Sequence, residues 1–259
     1  MRTAYAFLDI ETVPARWREF PHALTVPPAH ALLGAANAIK GPPANYSKPE
    51  TIAKWWQEQT DKTPARAVKW YRGGALDPKR GEVLCIGWGL GTGDPIVLWE
   101  ATERETLIAL QGQLAVWAPE HIVAHGGNHF DFGFLWERAT HHRLHELARW
   151  FLRVPFRHRV RLGLGDARTV LVDTAELWQT TRESTRSLVG ICDHLGLTPD
   201  WHDKITGAQV LDCMLGAQDD VVRQHCHIDV VRIQRLWFHH LAPALGLVDP
   251  MARTWEHRA

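Results

Sequence analysis

The chain has 259 residues, 45% of them hydrophobic and 22% charged, with a formal net charge of zero when histidine is neutral. That is enough chain for one large α/β domain, or for one domain with a substantial insertion, and the balance is that of an ordinary globular protein. It excludes a global basic field, and four scattered cysteines (Cys85, Cys192, Cys213 and Cys226) without a CxxC pair exclude a zinc ribbon and a disulfide scaffold.

The N-terminal MRTAYAFLDIET lacks the apolar core of a signal peptide, and no run of about 18 apolar residues occurs. A cytoplasmic location is therefore expected. Residues 5–10 read as a short buried strand that ends on Asp9 and Glu11. Residues 14–80 read as an insertion, because they hold nine of the fifteen prolines, including Pro42 and Pro43 after Gly41. A helix is expected there at about 49–59, carrying Trp55 and Trp56. That tryptophan pair is either a small satellite core or a base-stacking platform.

Residues 83–90 and 95–100 read as two more strands, joined by the turn signal Gly91-Thr92-Gly93-Asp94. The glycines at 87–93 lack a phosphate-loop lysine and lead into a strand, so they predict a hairpin. Residues 102–117 have helical periodicity at Leu107, Leu110, Leu114 and Trp117, opened by a capping box of Thr102 and Glu105. A fourth strand follows at 121–124, then a helix at 130–147 with Asp131 in its first turn. The stretch 149–163 has five arginines, one histidine and no acid. A fifth strand is expected at 169–173, a short helix at 187–195 closed by Gly196, and a long helix at 218–241 ended by Pro243. This order predicts an α/β fold with a mixed five-stranded sheet, three antiparallel strands followed by parallel ones, flanked by helices.

Four acids stand out: Asp9, Glu11, Asp131 and Asp229. Each lies in or beside an apolar segment, where an unpaired carboxylate is costly to bury. Four such acids in one domain suggest a shared charge-neutralising partner, and hard divalent cations prefer oxygen ligands. Structural readings exist for two of them. Asp131 suits the first turn of a helix, where the helix dipole favours an acid, and Asp229 has Arg232 and Arg235 within reach.

In order and context these residues resemble the three motifs of the DEDD superfamily of 3′–5′ exonucleases. The closest resemblance is to the predicted exonucleases related to the proofreading domain of family B DNA polymerases. The first motif is Asp9-Ile10-Glu11-Thr12. The second runs from Ala124 through Asn128-His129-Phe130-Asp131 to Leu135 and Arg138-Ala139. The third is His225-Cys226-His227-Ile228-Asp229. The segments Ser187-Leu188 to Leu195-Gly196-Leu197 and Lys204 to Val210 also resemble that subfamily. Two departures are plain: the family's asparagine aligns with Gly126, with Asn128 two positions later, and His225 occupies the position of a tyrosine.

The resemblance implies a single exonuclease domain over residues 1–259, on a ribonuclease-H-like fold, with the insertion at about 14–80. It implies a 3′–5′ exonuclease that hydrolyses the phosphodiester bonds of single-stranded DNA. Alternatives are an RNA 3′–5′ exonuclease and a nucleic-acid-binding module of the same fold with little or no turnover. Two divalent ions, Mg²⁺ or Mn²⁺, would be held by Asp9, Glu11, Asp131 and Asp229. His225 would orient or deprotonate the attacking water, or else serve as a structural helix residue. The partner would be a nucleic acid with a free 3′ end, met by Thr12, Asn128, Phe130, Arg153 and Arg157.

Overall fold

The structure, a computed structural model, describes residues 5–152, 170–178, 187–197 and 203–247. Arg153 and Arg157, with most of the arginine-rich stretch, lie outside the described residues. The chain divides into two compact units, Met1–Thr12 with Val83–Ala259 and Val13–Glu82.

The larger unit is built on a five-stranded sheet in the order β3-β2-β1-β4-β5. Its strands are β1 (Tyr5–Pro14), β2 (Gly81–Leu90), β3 (Ile96–Leu98), β4 (His121–Ala124) and β5 (Val170–Asp173). β2 and β3 pair antiparallel, while β4 runs parallel to both β1 and β5. Backbone bonds from Gly91 N to Tyr5 O and from Ala15 N to Arg80 O tie opposite ends of β1 and β2, so these two are antiparallel as well. The expected mixed sheet is therefore present. β1 is longer than expected, however. It runs on to Pro14, so Asp9 and Glu11 lie inside a strand rather than at its end.

Strand alternation sorts β1 into two cores. Ala6, Leu8 and Ile10 pack with Ile86 and Trp88 of β2 and with Leu107, Leu110 and Leu114 of α3 (Glu103–Trp117). Tyr5 and Phe7 face the other way, towards Leu188 and Ile191 and towards Val230, Ile233 and Leu236. Asp9 and Glu11 continue that second, odd-numbered series and so emerge on the same side.

The capping box of α3 forms as expected, with Thr102 Oγ1 accepting from Glu105 N at 3.3 Å. The helix expected at 130–147 is instead two, α4 (Asp131–His141) and α5 (His145–Phe151). Arg143 breaks it by adopting a left-handed φ of 59°. After β5 come α6 (Thr174–Trp178), α7 (Leu188–Leu195), α8 (Val210–Leu215) and α9 (Asp219–Leu236). α7 is capped by Ser187 and closed by Gly196 at φ 66°. α9 gives way to a π-helical turn, Trp237–Leu241, and a last turn at Ala242–Ala244.

Two glycines of β2 set how near α9 lies to the sheet. A Cβ on Gly87 would sit 2.5 Å from Val230 Cγ2 and 2.9 Å from the Cys226 carbonyl oxygen. One on Gly89 would sit 2.8 Å from Gln234 Nε2. Gln234 also donates to the carbonyls of Gly91 and Gly93, each at 3.0 Å, which fastens α9 to the β2–β3 turn.

The smaller unit contains α1 (Ala29–Asn37) and α2 (Pro49–Arg72). The expected helix at 49–59 is in fact 24 residues long and passes through Pro64. Trp55 and Trp56 meet edge to face at 4.7 Å, Trp55 half-buried and Trp56 exposed. Among the described residues no helix is long and apolar enough to cross a membrane.

Candidate metal centre

Three elements deliver the acids. β1 brings Asp9 and Glu11 to the α9 side of the sheet. α9 carries His225, Asp229 and Arg232 at i, i+4 and i+7, one face of a helix. Asp131 begins α4, and its Oδ1 accepts from Ile10 N at 3.2 Å, which joins the start of α4 directly to the Asp9–Glu11 segment.

The closest grouping is Glu11, His225 and Asp229, whose ligating atoms all lie within 4.8 Å of one another. His225 Nε2 is 3.4 Å from Glu11 Oε1 and 3.8 Å from Asp229 Oδ2. Its Nδ1 is 3.0 Å from Asp203 Oδ1. Arg232 donates to Asp203 Oδ2 at 2.5 Å and to Asp229 Oδ1 at 2.6 Å. Asp229 thus does pair with Arg232, the structural reading open in the sequence. Asp9 has no such relief: its Oδ2 is buried with no hydrogen-bond partner among the described residues.

The acids raise one another's proton affinity. Burial, then the charges of Glu11, Asp229 and Asp131, push Asp9 well above the usual carboxylate range. Burial lifts Glu11 to about 8, against the pull of His225, with Asp229, Asp131 and Asp203 adding to the rise. Asp131 is lifted to about 7 by burial, which outweighs the backbone N–H groups of Asp131 and Ile10; Asp173 and Asp229 add to it. For His225, burial disfavours the imidazolium, but the Asp203 bond and the Glu11, Asp229 and Asp203 charges outweigh burial and hold it up at about 9. Three carboxylates around it favour the imidazolium.

Asp173, Asp203 and Arg232 were not among the expected site residues. Asp173, buried at the end of β5, accepts from Gly126 N at 2.8 Å, Asn128 N at 2.9 Å and Ala175 N at 2.9 Å. It fixes the loop that leads into Asp131. His125 Nδ1 meets Thr174 Oγ1 at 2.9 Å beside it. Gly126 has a φ of 75°, a region open to glycine and tolerated by asparagine. Asp173 had a signal in the sequence: like Asp9, it is an acid that follows an apolar strand, Val170-Leu171-Val172.

The remaining expected residues fall as follows. Thr12 is buried on β1 next to Glu11. Asn128 donates from Nδ2 to Glu176 Oε2 at 2.7 Å. Phe130 packs against the α3-side core, its ring 5.3 Å from Phe134, and so does not stand out as an open stacking face.

No family model matches the chain, and no curated protein matches it. Among solved structures it is similar to the family B DNA polymerase from the hyperthermophilic archaeon Pyrobaculum calidifontis. The TM-score is 0.52 at 16% identity, over 92% of this chain and 24% of that one. What the two share is a fold. The five-stranded α/β sheet is ribonuclease-H-like, and the chain spans about a quarter of the polymerase's length.

The donor set fits a hard divalent cation. All four acids supply oxygen, one oxygen is buried without a partner, and the neighbouring acids are protonated more readily than carboxylates should be.

Proposed function

We propose that this protein is a metal-dependent 3′–5′ exonuclease that hydrolyses phosphodiester bonds of single-stranded DNA. The observation that carries the reading is Asp9 Oδ2, buried and unpartnered amid Glu11, Asp131 and Asp229. Carboxylates gathered in this way suit Mg²⁺ or Mn²⁺. Two such ions, when bound, supply water activation and charge stabilisation for an in-line displacement. In this reading Asp9 would be shared between them, Glu11 and Asp229 would hold one, and Asp131 would support the other. The likeness to a family B DNA polymerase and the order of the three acidic motifs support a nucleic-acid substrate.

The chain's own residues do the rest. Asp203 accepts from His225 Nδ1, which fixes the ring and leaves Nε2 facing Glu11 and Asp229. With Glu11 and Asp229 engaged as ligands, their charges would no longer favour the imidazolium: Nε2 would release its proton to solvent, the neutral ring would keep Nδ1–H on Asp203, and Nε2 could then accept a proton from water. Arg232 keeps Asp203 and Asp229 in register by donating to both. Asp173 holds the 126–128 loop and so the start of α4. Residues at about 14–80 are read as an insertion into this one catalytic domain.

A second reading rests on a specific observation: His225 and Arg232 already neutralise part of the cluster internally, as in a binding module with little turnover. Digestion of end-labelled DNA and RNA oligonucleotides with Mg²⁺, Mn²⁺ or EDTA decides. The exonuclease reading expects mononucleotides released from the 3′ end of DNA, faster than from RNA, and none in EDTA. Binding without release under every metal would establish the second reading.

A further inference from the structure

The smaller unit carries a cavity unrelated to the acid cluster. It has a volume of about 650 Å³, within the usual range for ligand pockets. Its lining includes Lys40, Arg66, Lys69 and Arg80, two tryptophans and no acid. Arg80 is already engaged: it pairs with Asp77 at 2.8 Å and lies over the Trp70 ring at 4.5 Å. Arg66 donates to Gln59 at 2.6 Å, a neutral partner. Among the described residues Lys40, Arg66 and Lys69 have no carboxylate partner. Three cations around one concavity repel each other unless an anion joins them.

The charge is segregated along the chain as well. Residues 13–82 hold eleven Lys and Arg against six Asp and Glu, a net charge of +5 in a chain whose net charge is zero. Trp55, Gln59, Arg66 and Lys69 fall along one stripe of α2, spaced 4, 7 and 3 residues apart. At 1.5 Å per residue the stripe from 55 to 69 is about 21 Å long, more than one nucleotide covers. Trp55, at its far end, is half-buried beside the cavity and offers an aromatic surface.

We propose that this cavity binds single-stranded nucleic acid, with Lys40, Arg66 and Lys69 taking backbone phosphates and Trp55 stacking on a base. It is a second nucleic-acid site, separate from the acid cluster and independent of any turnover there. Aromatic rings alternating with cations are what sequence-tolerant strand binding requires.

The test measures binding of a fluorescein-labelled oligothymidylate to the full-length protein in EDTA, as anisotropy across a salt series. A Lys40→Glu/Lys69→Glu variant should bind at least tenfold more weakly, with the slope of log affinity against log salt reduced by about 1.4 for two lost single-strand contacts. Trp55→Ala should weaken binding by about 5- to 150-fold. A Lys54→Glu/Lys79→Glu variant makes the same charge change at two lysines outside the cavity lining and should bind nearly as the parent does. Hydrolysis of the p-nitrophenyl ester of thymidine 5′-phosphate, too short to span a second site, should be equal in all four proteins, which separates this site from the nuclease reading. Parent-like affinity and slope in the Lys40/Lys69 variant, or equal losses in both lysine pairs, would overturn the proposal. So would displacement of the strand by free thymidine 5′-phosphate at the same concentration as by unlabelled strand, which would make the cavity a mononucleotide site.

Discussion

Glu11 and Glu103 are two glutamates with almost equally buried side chains, 8% and 7% exposed, and they behave in opposite ways. Glu103 opens α3 and is surrounded by donors: Arg138 at 2.6 Å, His142 at 2.5 Å and Val83 N at 2.7 Å. Burial would raise it, but these partners outweigh burial and hold it below the usual range. Glu11 has a single cationic neighbour, His225, and three acids, and stands at about 8. Burial alone therefore does not distinguish a structural acid from a functional one. The balance of donors around it does. A buried acid whose partners are provided by the fold stabilises that fold, and one whose partners are missing is a candidate to hold a ligand.

The sharpest way to break this comparison is to neutralise each region in turn. Asp9→Asn should lower exonuclease turnover on the order of 10⁴-fold or more, as loss of a central catalytic group does. The metal-free variant should unfold at the same or a higher urea concentration than the parent, because a repelling charge has gone. Full turnover, or a large loss of stability, would place Asp9 with Glu103.

His225→Ala should cost about 10²- to 10⁴-fold in rate, the usual loss for a positioned base. His225→Tyr should recover part of it, because the i, i+4 spacing from Asp229 already suits a tyrosine. Rates that fall below the His pKa in the parent but not in the Tyr variant would mark the imidazole as the base, and equal rates in Ala and parent would make it structural.

Glu103→Gln should do the reverse of Asp9→Asn. It leaves Arg138 buried without its carboxylate, at about 3–5 kcal/mol of stability, read from the urea midpoint. The rate per folded molecule should hold.

The last test is of pH dependence. Unfolded Glu11, Asp131 and His225 titrate near 4.5, 3.8 and 6.5, whereas in the fold they stand at about 8, 7 and 9. The folded, metal-free protein therefore holds extra protons, and unfolding releases them. Stability should fall as pH rises from about 5 to 9, and Mn²⁺ should flatten that slope. Glu103 has the opposite sign, since its lowered value gives stability above pH 4.5 that is lost as pH falls. A thermal melting temperature that rises between pH 5 and 9 in EDTA would reverse the assignment of the two regions.

Much of this was legible in the chain. α3 announced itself through Thr102 and Glu105 because a capping box acts locally. β4 matched its expected bounds because its apolar run ends at a turn. The break at Arg143 was not legible: apolar periodicity continues from Leu135 and Ala139 to Leu144 and Leu147, with no glycine or proline between. The passage of α2 through Pro64 was hidden because a proline ordinarily stops a helix, and packing against α1 overrides that tendency. The four acids could be read, since a charge in an apolar run is conspicuous. Asp203 and Arg232 could not be placed, because what they do depends on the chain folding back across a separation of 29 positions to bring them into contact.

Gly87 has a consequence for how this site could be tuned. It has no side chain, and so it acts as a spacer of zero thickness between β2 and the helix that carries Asp229. A single methyl there, in Gly87→Ala, would have to displace backbone at Cys226 as well as the side chain of Val230. The whole helix would lift, taking His225 and Asp229 away from β1 while every ligand kept its identity. Displacements of about 1 Å cost about 100-fold in rate in enzymes generally. The reach of these carboxylates is thus calibrated from the opposite wall, by an atom that is not there.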